Sequence, residues 1–252
     1  METQEKTFVK YPKIPHLGES LDILNNPVRV YEKLDGGNAQ IKKEGYRVFA
    51  GNRSHFLNDR RDKSLWFLEF NKWVQRNLSF MNLPEDFVLY GEWISLRSNL
   101  NFPYEQSTRN RFFFLDLFSV LDNTFVDYKD AVEIVSDWNI RGLDFLRCLK
   151  SGEISYEELT ELCKKSDYRD GTAEGVVVKD YDKQKFAKLL TKHALNQPLD
   201  CRDVRRAITV LIERDEKPTL EKVVQELMDD FKGYPKDEVR RIVNDYSNIR
   251  TR

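Results

Sequence analysis

The chain is poor in the residues that staple small folds or anchor them in membranes. Its 252 residues include only three cysteines, Cys148, Cys163 and Cys201, widely spaced and with no Cys-x-x-Cys pair. That usage excludes a disulfide framework, argues against structural zinc and suits a reducing compartment. The three histidines, His16, His55 and His193, stand far apart without metal-ligand spacing. No stretch approaches the roughly 18 apolar residues of a membrane span, and Met1 to Lys10 lack the apolar core of a signal peptide. A soluble, cytoplasmic protein with no membrane partner is expected. There is no excess of charge either, since 41 Lys and Arg against 42 Asp and Glu leave a net charge of −1. A nucleic-acid partner would therefore need a local basic patch, not a global field. What the chain does have is 40% hydrophobic and 12% aromatic residues, enough for a substantial core beneath a solvated surface.

Alternation over Val28–Lys33, a turn signal at Asp35-Gly36-Gly37, and further β-like runs from Ala39 and from Gly45 predict a meander with Lys33 at a strand end. Apolar residues at helical spacing follow between Leu65 and Val74, where Trp66, Phe67, Phe70 and Trp73 read as core. Strands are expected at Phe87–Ile94, Phe112–Phe118, Gly175–Lys179 and around Phe186–Leu189. Helices are expected near 128–138, 142–149 and 155–165, the second stopping at Ser151-Gly152 and the third opening on a Ser155/Glu158 capping box. Beyond about residue 195 only helical patterns remain: one from Asp200 to about Arg214, one from Thr219 to about Phe231, and one to about Tyr246 after Gly233-Tyr234-Pro235. That end holds 12 basic and 12 acidic residues. The fold class is α+β with antiparallel sheets and flanking helices over residues 1–194, followed by a small all-helical domain over 195–252.

Lys33-Leu34-Asp35-Gly36 has the form K-x-D-G, which chance would place in about one chain of this length in twenty. A solvated surface turn is the plain alternative. The chemical reading is a nucleophile: an amine must be neutral to attack, and partial desolvation near other cations favours that form.

Lys33-Leu34-Asp35-Gly36 resembles motif I of the covalent nucleotidyltransferases, the superfamily of DNA ligases, RNA ligases and mRNA capping enzymes. Tyr90-Gly91-Glu92, Phe112 to Leu117, Glu174 to Lys179 and Lys185-Phe186-Ala187-Lys188 resemble motifs III, IIIa, IV and V, in the family's order. Asn38, Arg53 within Gly51-Asn52-Arg53-Ser54-His55, Arg97, and the opening Lys10 to Leu17 are similar to ATP-dependent RNA ligases of the RNA ligase 2 type. No strand pattern after residue 195 could build the barrel domain that DNA ligases and capping enzymes carry.

The resemblance implies a ligase adenylation fold related to ATP-grasp, ATP with Mg²⁺ or Mn²⁺, and RNA bearing 5′-phosphate and 3′-hydroxyl ends as partner. It implies a catalytic set of Lys33, Lys185, Lys188 and Arg53. The nucleotide would be held by Glu32, Lys33, Asp35, Gly36, Asn38, Arg53, Glu92, Glu174, Lys185 and Lys188, and the metal by Glu174 and Asp35. Two positions depart from the pattern. Leu115 stands where the family usually has an adenine-stacking Phe; the nucleotide's base would pack on Leu115 itself or on Phe113, on the same face by strand alternation. The motif V lysine falls at Lys188, then Lys185, in order of preference. A DNA ligase, a capping-type transferase and a catalytically dead binding module are the alternatives. The sequence leaves open oligomeric state, the kind of RNA, and whether an end-healing kinase or phosphatase acts first.

Overall fold

The computed structural model describes residues 8–57, 65–95, 104–194, 204–205, 207–208, 211–212, 216–230 and 236–250. Two sheets organise it. The first contains β1 (Val28–Lys33), β8 (Cys148–Gly152), β9 (Gly175–Asp180) and β10 (Lys185–Leu190), in the order β10-β9-β1-β8, antiparallel throughout. The second contains β2 (Gly37–Glu44), β3 (Arg47–Asn52), β4 (Phe87–Ile94), β5 (Arg111–Ser119) and the short β6 (Thr124–Phe125), in the order β3-β2-β4-β5-β6. A further strand, β7 (Leu143–Phe145), runs parallel to β5. Every residue of β9 is buried, as its unbroken Val176-Val177-Val178 run requires of a strand covered on both faces.

Helix α1 (Leu65–Arg76) covers the second sheet with the aromatic stripe read as core. Phe70 stacks on Phe112 of β5, with centroids 5.6 Å apart and planes 8° apart, and Trp73 meets both Trp93 and Phe112. Gly91 makes room for that ring, because a Cβ there would come within 2.2 Å of Phe112. Helix α2 (Tyr128–Asp137) is N-capped by Asp127. Helix α3 (Tyr156–Leu162) opens on the reciprocal Ser155/Glu158 capping box, as its sequence requires.

The helix expected over 142–149 is not there. That stretch forms β7 and β8 instead, with Leu143 opposite Phe112 and Lys150 opposite Val30. Its local helix propensity is weak, and the open edges of β5 and β1 supply ladder hydrogen bonds that propensity cannot match. Gly142, at φ +83°, turns the chain into β7, and Gly152, at φ +105°, ends β8 and not a helix.

A short helix, α4 (Thr191–Ala194), follows β10. Helices α5 (Leu220–Asp230) and α6 (Lys236–Arg250) occupy the expected C-terminal region, and Thr219 Oγ1 accepts from Lys222 N at the start of α5. Val223, Val224 and Leu227 of α5 bury against Val239 and Val243 of α6, together with Val204, Ala207, Leu211 and Leu190 of β10. Most of the expected 200–214 helix and the Gly233-Tyr234-Pro235 break lie outside the described residues.

Candidate active site

The two sheets meet over a buried polar clasp. Asp116 of β5 is fully buried and accepts from Lys179 Nζ of β9 on both carboxylate oxygens at 2.8 Å, from Tyr181 Oη at 2.8 Å and from Tyr11 Oη at 2.6 Å. Burial pulls the Lys179 ammonium below the ordinary lysine range, and the Asp116 charge opposes that pull. Burial, reinforced by Asp116, pushes the Tyr11 and Tyr181 phenols up. The clasp holds the sheets at a fixed distance, and beside it lies a cavity lined from both.

Lys33 ends β1 inside that cavity, its side chain mostly shielded, and Nζ pairs with Glu174 Oε2 at 2.9 Å. Glu174 directly precedes β9, and the register that sets Lys33 opposite Gly175 brings the two together across 141 residues of chain. After Lys33 the chain turns sharply. Gly36 N donates to Glu92 Oε1 at 3.0 Å, and a Cβ at Gly36 would lie 2.7 Å from both Ile94 Cδ1 and Trp93 O. Asp35 is buried in the same turn, its amide donating to Tyr104 Oη at 2.6 Å. Asn38 sits opposite Glu92 in the β2–β4 ladder and lines the cavity, its buried Oδ1 lacking a hydrogen-bond partner among the described residues.

Arg53 is presented by a side-chain turn in which Asn52 Oδ1 accepts from Ser54 N at 2.7 Å and His55 N at 2.9 Å. Its guanidinium donates to Pro12 O at 3.0 Å, tying it to the N-terminal segment. That segment runs along the cavity as a strap. Tyr90 Oη holds it at Val9 O, Lys188 N at Pro15 O, and the Tyr11 phenol anchors it in the clasp. Tyr11, Pro12, Lys13 and Ile14 thereby join the cavity wall, and Lys188 of β10 completes the cationic side.

Most of the residues singled out in the sequence meet here: Glu32, Lys33, Gly36, Asn38, Arg53, Glu92, Leu115 and Lys188 all line the cavity, with Glu174 on Lys33. The Glu32 carboxyl is held by Ser166 Oγ and Asp167 N, and burial raises it above the ordinary glutamate range. Lys185 is not brought in; it starts β10 at the surface and pairs with Asp22 at 2.8 Å. Phe113 is not at the wall either, its ring lying edge-on to Tyr168 at 5.3 Å. The reason is a bulge: Tyr90 faces Asp116 while Gly91 faces Phe114, so Leu115 is the extra residue on β5. Alternation therefore does not carry from Phe113 to Leu115. The Leu115 carbonyl accepts from Lys179 Nζ at 2.9 Å, while its side chain meets the cavity. His55 shapes the Arg53 turn and does not line the cavity. Arg60-Arg61-Asp62-Lys63 and Arg97 lie outside the described residues.

Sequence reasoning gave no role to Tyr11, Lys13, Lys179 or Glu226, which also line the cavity. A lysine at the end of a wholly apolar strand was a usable signal for Lys179. Glu226 had one too, since it follows Val223 by three residues and so interrupts the apolar stripe of its helix.

Among the described residues, no group of three or more His, Cys, Asp and Glu could hold a metal by itself. Glu174, with Asp35 buried in the next turn, offers hard oxygens. That donor chemistry fits a magnesium-type ion, which one or two carboxylates hold and substrate phosphates complete.

Solved structures of similar fold are RNA ligases from Naegleria gruberi. A lysine-to-alanine mutant with ATP and Mn matches with a TM-score of 0.60 at 16% identity, over 76% of this chain and 58% of that one. A lysine-to-methionine mutant with AMP and Mn matches with a TM-score of 0.57 at 16% identity, over 76% and 58%. The form with PPi gives 0.55 at 16% identity, over 75% and 58%. The chain thus spans 58% of the length of these ligases. No curated protein matches the sequence significantly. The RNA ligase family model matches residues 26–192, from the start of the first sheet to just past Lys188, and the chain belongs to the RNA ligase family.

Proposed function

We propose that the protein is an ATP-dependent RNA ligase that joins 5′-phosphate and 3′-hydroxyl RNA ends through a lysyl-AMP and an RNA-adenylate. The observation that carries this reading is Lys33: a shielded amine inside a cavity that Arg53 and Lys188 also line. The Naegleria gruberi ligases of similar fold, solved with ATP, AMP or PPi, support it.

In the first step Lys33 Nζ attacks the α-phosphorus of ATP. A P–N bond forms, the bond to pyrophosphate breaks, and the proton lost from Nζ has Glu174 as its nearest acceptor at 2.9 Å. The 5′-phosphate of RNA then displaces Lys33 from AMP, and the 3′-hydroxyl displaces AMP from the RNA-adenylate. Arg53 and Lys188 stabilise charge on the phosphate oxygens through all three transfers. Asn38 Oδ1 and Glu92, which line the cavity, would accept from hydroxyl or amino donors of the nucleotide, and the apolar Leu115 and Val177 would pack on its base. Glu174 and Asp35 would hold Mg²⁺ or Mn²⁺, which supplies neutralisation of phosphate charge. The helical character of the described residues after Ala194 favours RNA over the DNA-ligase alternative, whose relatives carry a barrel there.

The test is incubation with ATP labelled at the α-phosphate, followed by nicked RNA, nicked DNA and single-stranded RNA. Covalent label on the wild type, none on Lys33→Ala, and release of label as AMP when RNA is sealed are expected. Failure to label the wild type, or labelling of Lys33→Ala, overturns the reading. Sealing of DNA alone would redirect it to a DNA ligase.

A further inference from the structure

We infer that Glu226 of the C-terminal helices is a specificity-determining residue of the nucleotide cavity, selecting against the triphosphate tail and for the monophosphate. The inference rests on the proposed nucleotide reading of that cavity.

Glu226 lies on α5, about 190 residues along the chain from the Lys33 turn, yet it lines the same cavity and is only 6% exposed. A helical glutamate is normally turned to solvent. This one follows Val223 by three residues and precedes Leu227, both buried, so the packing that buries the apolar stripe carries the carboxylate inward. The same apolar cluster includes Leu190, two residues beyond Lys188 on β10. The C-terminal helices are therefore seated on the strand that supplies the cavity's phosphate-facing lysine.

Charge gives the seating a consequence. Five cations line the cavity: Lys13, Lys33, Arg53, Lys179 and Lys188. Glu174 balances Lys33 and Asp116 balances Lys179, while the Glu32 carboxyl is occupied by Ser166 and Asp167 and Glu92 accepts from Gly36 N. Buried carboxylates persist only against donors or cations. Glu226 is thus a fixed negative charge drawn to the set of cations that phosphates would use. It opposes the four charges of ATP or the charge of pyrophosphate much more than the single α-phosphate of AMP. Seated helices consequently favour the adenylylated site over the ATP-loaded one, and favour departure of pyrophosphate.

Binding of ATP, AMP and inorganic pyrophosphate, measured by calorimetry on the full chain carrying Lys33→Ala to prevent turnover, tests this with and without Glu226→Gln. Removing one charge from the lining of a cavity that holds a polyanion, partly screened by salt, should tighten ATP and pyrophosphate about threefold to tenfold. AMP should change by less than about twofold by the same arithmetic. The gain should shrink as salt is raised. Glu226→Asp, which keeps the charge, should show no such gain. Equal tightening of AMP and ATP, no change, or weaker ATP binding in Glu226→Gln overturns the inference alone. Failure of every nucleotide to bind either protein overturns the nucleotide reading and the inference with it.

Discussion

Replacing Asp116 by Asn should reveal how much the two-sheet architecture depends on one buried charge. The carboxylate accepts from Lys179, Tyr11 and Tyr181, with the Lys179 side chain 3% exposed and that of Asp116 0%. Asparagine keeps the shape and one acceptor for the phenols but leaves the ammonium uncompensated in a site lined by aromatic rings. Removing one partner of a buried pair costs about 3–5 kcal/mol. Total stability of a domain is about 5–15 kcal/mol, so the loss is large, and at about 2–4 °C per kcal/mol it lowers Tm by about 6–20 °C. The pH dependence supplies a sharper check. Burial holds the folded pKa of Lys179 below its unfolded value, so between the two the unfolded chain binds more protons and stability rises with pH. Without Asp116 that depression deepens. The deficit of Asp116→Asn relative to wild type should therefore narrow as pH rises toward the unfolded lysine range, by at most about 1.4 kcal/mol per pH unit. Urea unfolding followed by tryptophan fluorescence measures it, and adding Lys179→Met to Asp116→Asn should restore much of the loss. A deficit under about 1 kcal/mol at neutral pH, well below the range for a broken buried pair, would refute the reasoning. So would a deficit that widens with pH, or a double variant no more stable than the single one.

Two contrasts probe the cavity itself by rate of covalent AMP labelling. Lys188→Ala should lower the rate about 10²–10³-fold, the usual loss on removing a preorganised charge-stabilising group, whereas Lys185→Ala should leave it near wild type because Lys185 faces Asp22 at the surface. Equal losses in the two would contradict the assignment. Gly36→Ala should slow labelling on the order of 100-fold, since its Cβ must displace Ile94, the Trp93 carbonyl or Glu92 and so shift the Lys33 turn. A labelling rate near that of wild type would show that the turn tolerates the shift.

Local pattern alone determined a good deal about this protein. The Val28–Lys33 alternation, the buried Val176-Val177-Val178 run, the α1 aromatic stripe and the Ser155/Glu158 capping box each encode their structure within a few residues. Lys33 was legible because a strand end, a lysine and an Asp-Gly turn are adjacent in sequence. The 142–149 stretch was not legible, because weak helical preference gives way to strand edges supplied from elsewhere in the chain. Only tertiary structure separated Leu115 from Phe113, since a bulge is a property of the β4–β5 register and not of the Phe-Phe-Phe-Leu-Asp run. Lys188 is preferred over Lys185 in sequence only as part of the Phe186-Ala187-Lys188-Leu189 strand, and it is the β9–β10 ladder with the N-terminal segment that puts one in the cavity and the other on the surface. The Asp116–Lys179 clasp and the seating of Glu226 join residues 63 and more positions apart. Such pairings are chosen by burial energetics of the whole fold, which no window along the chain contains.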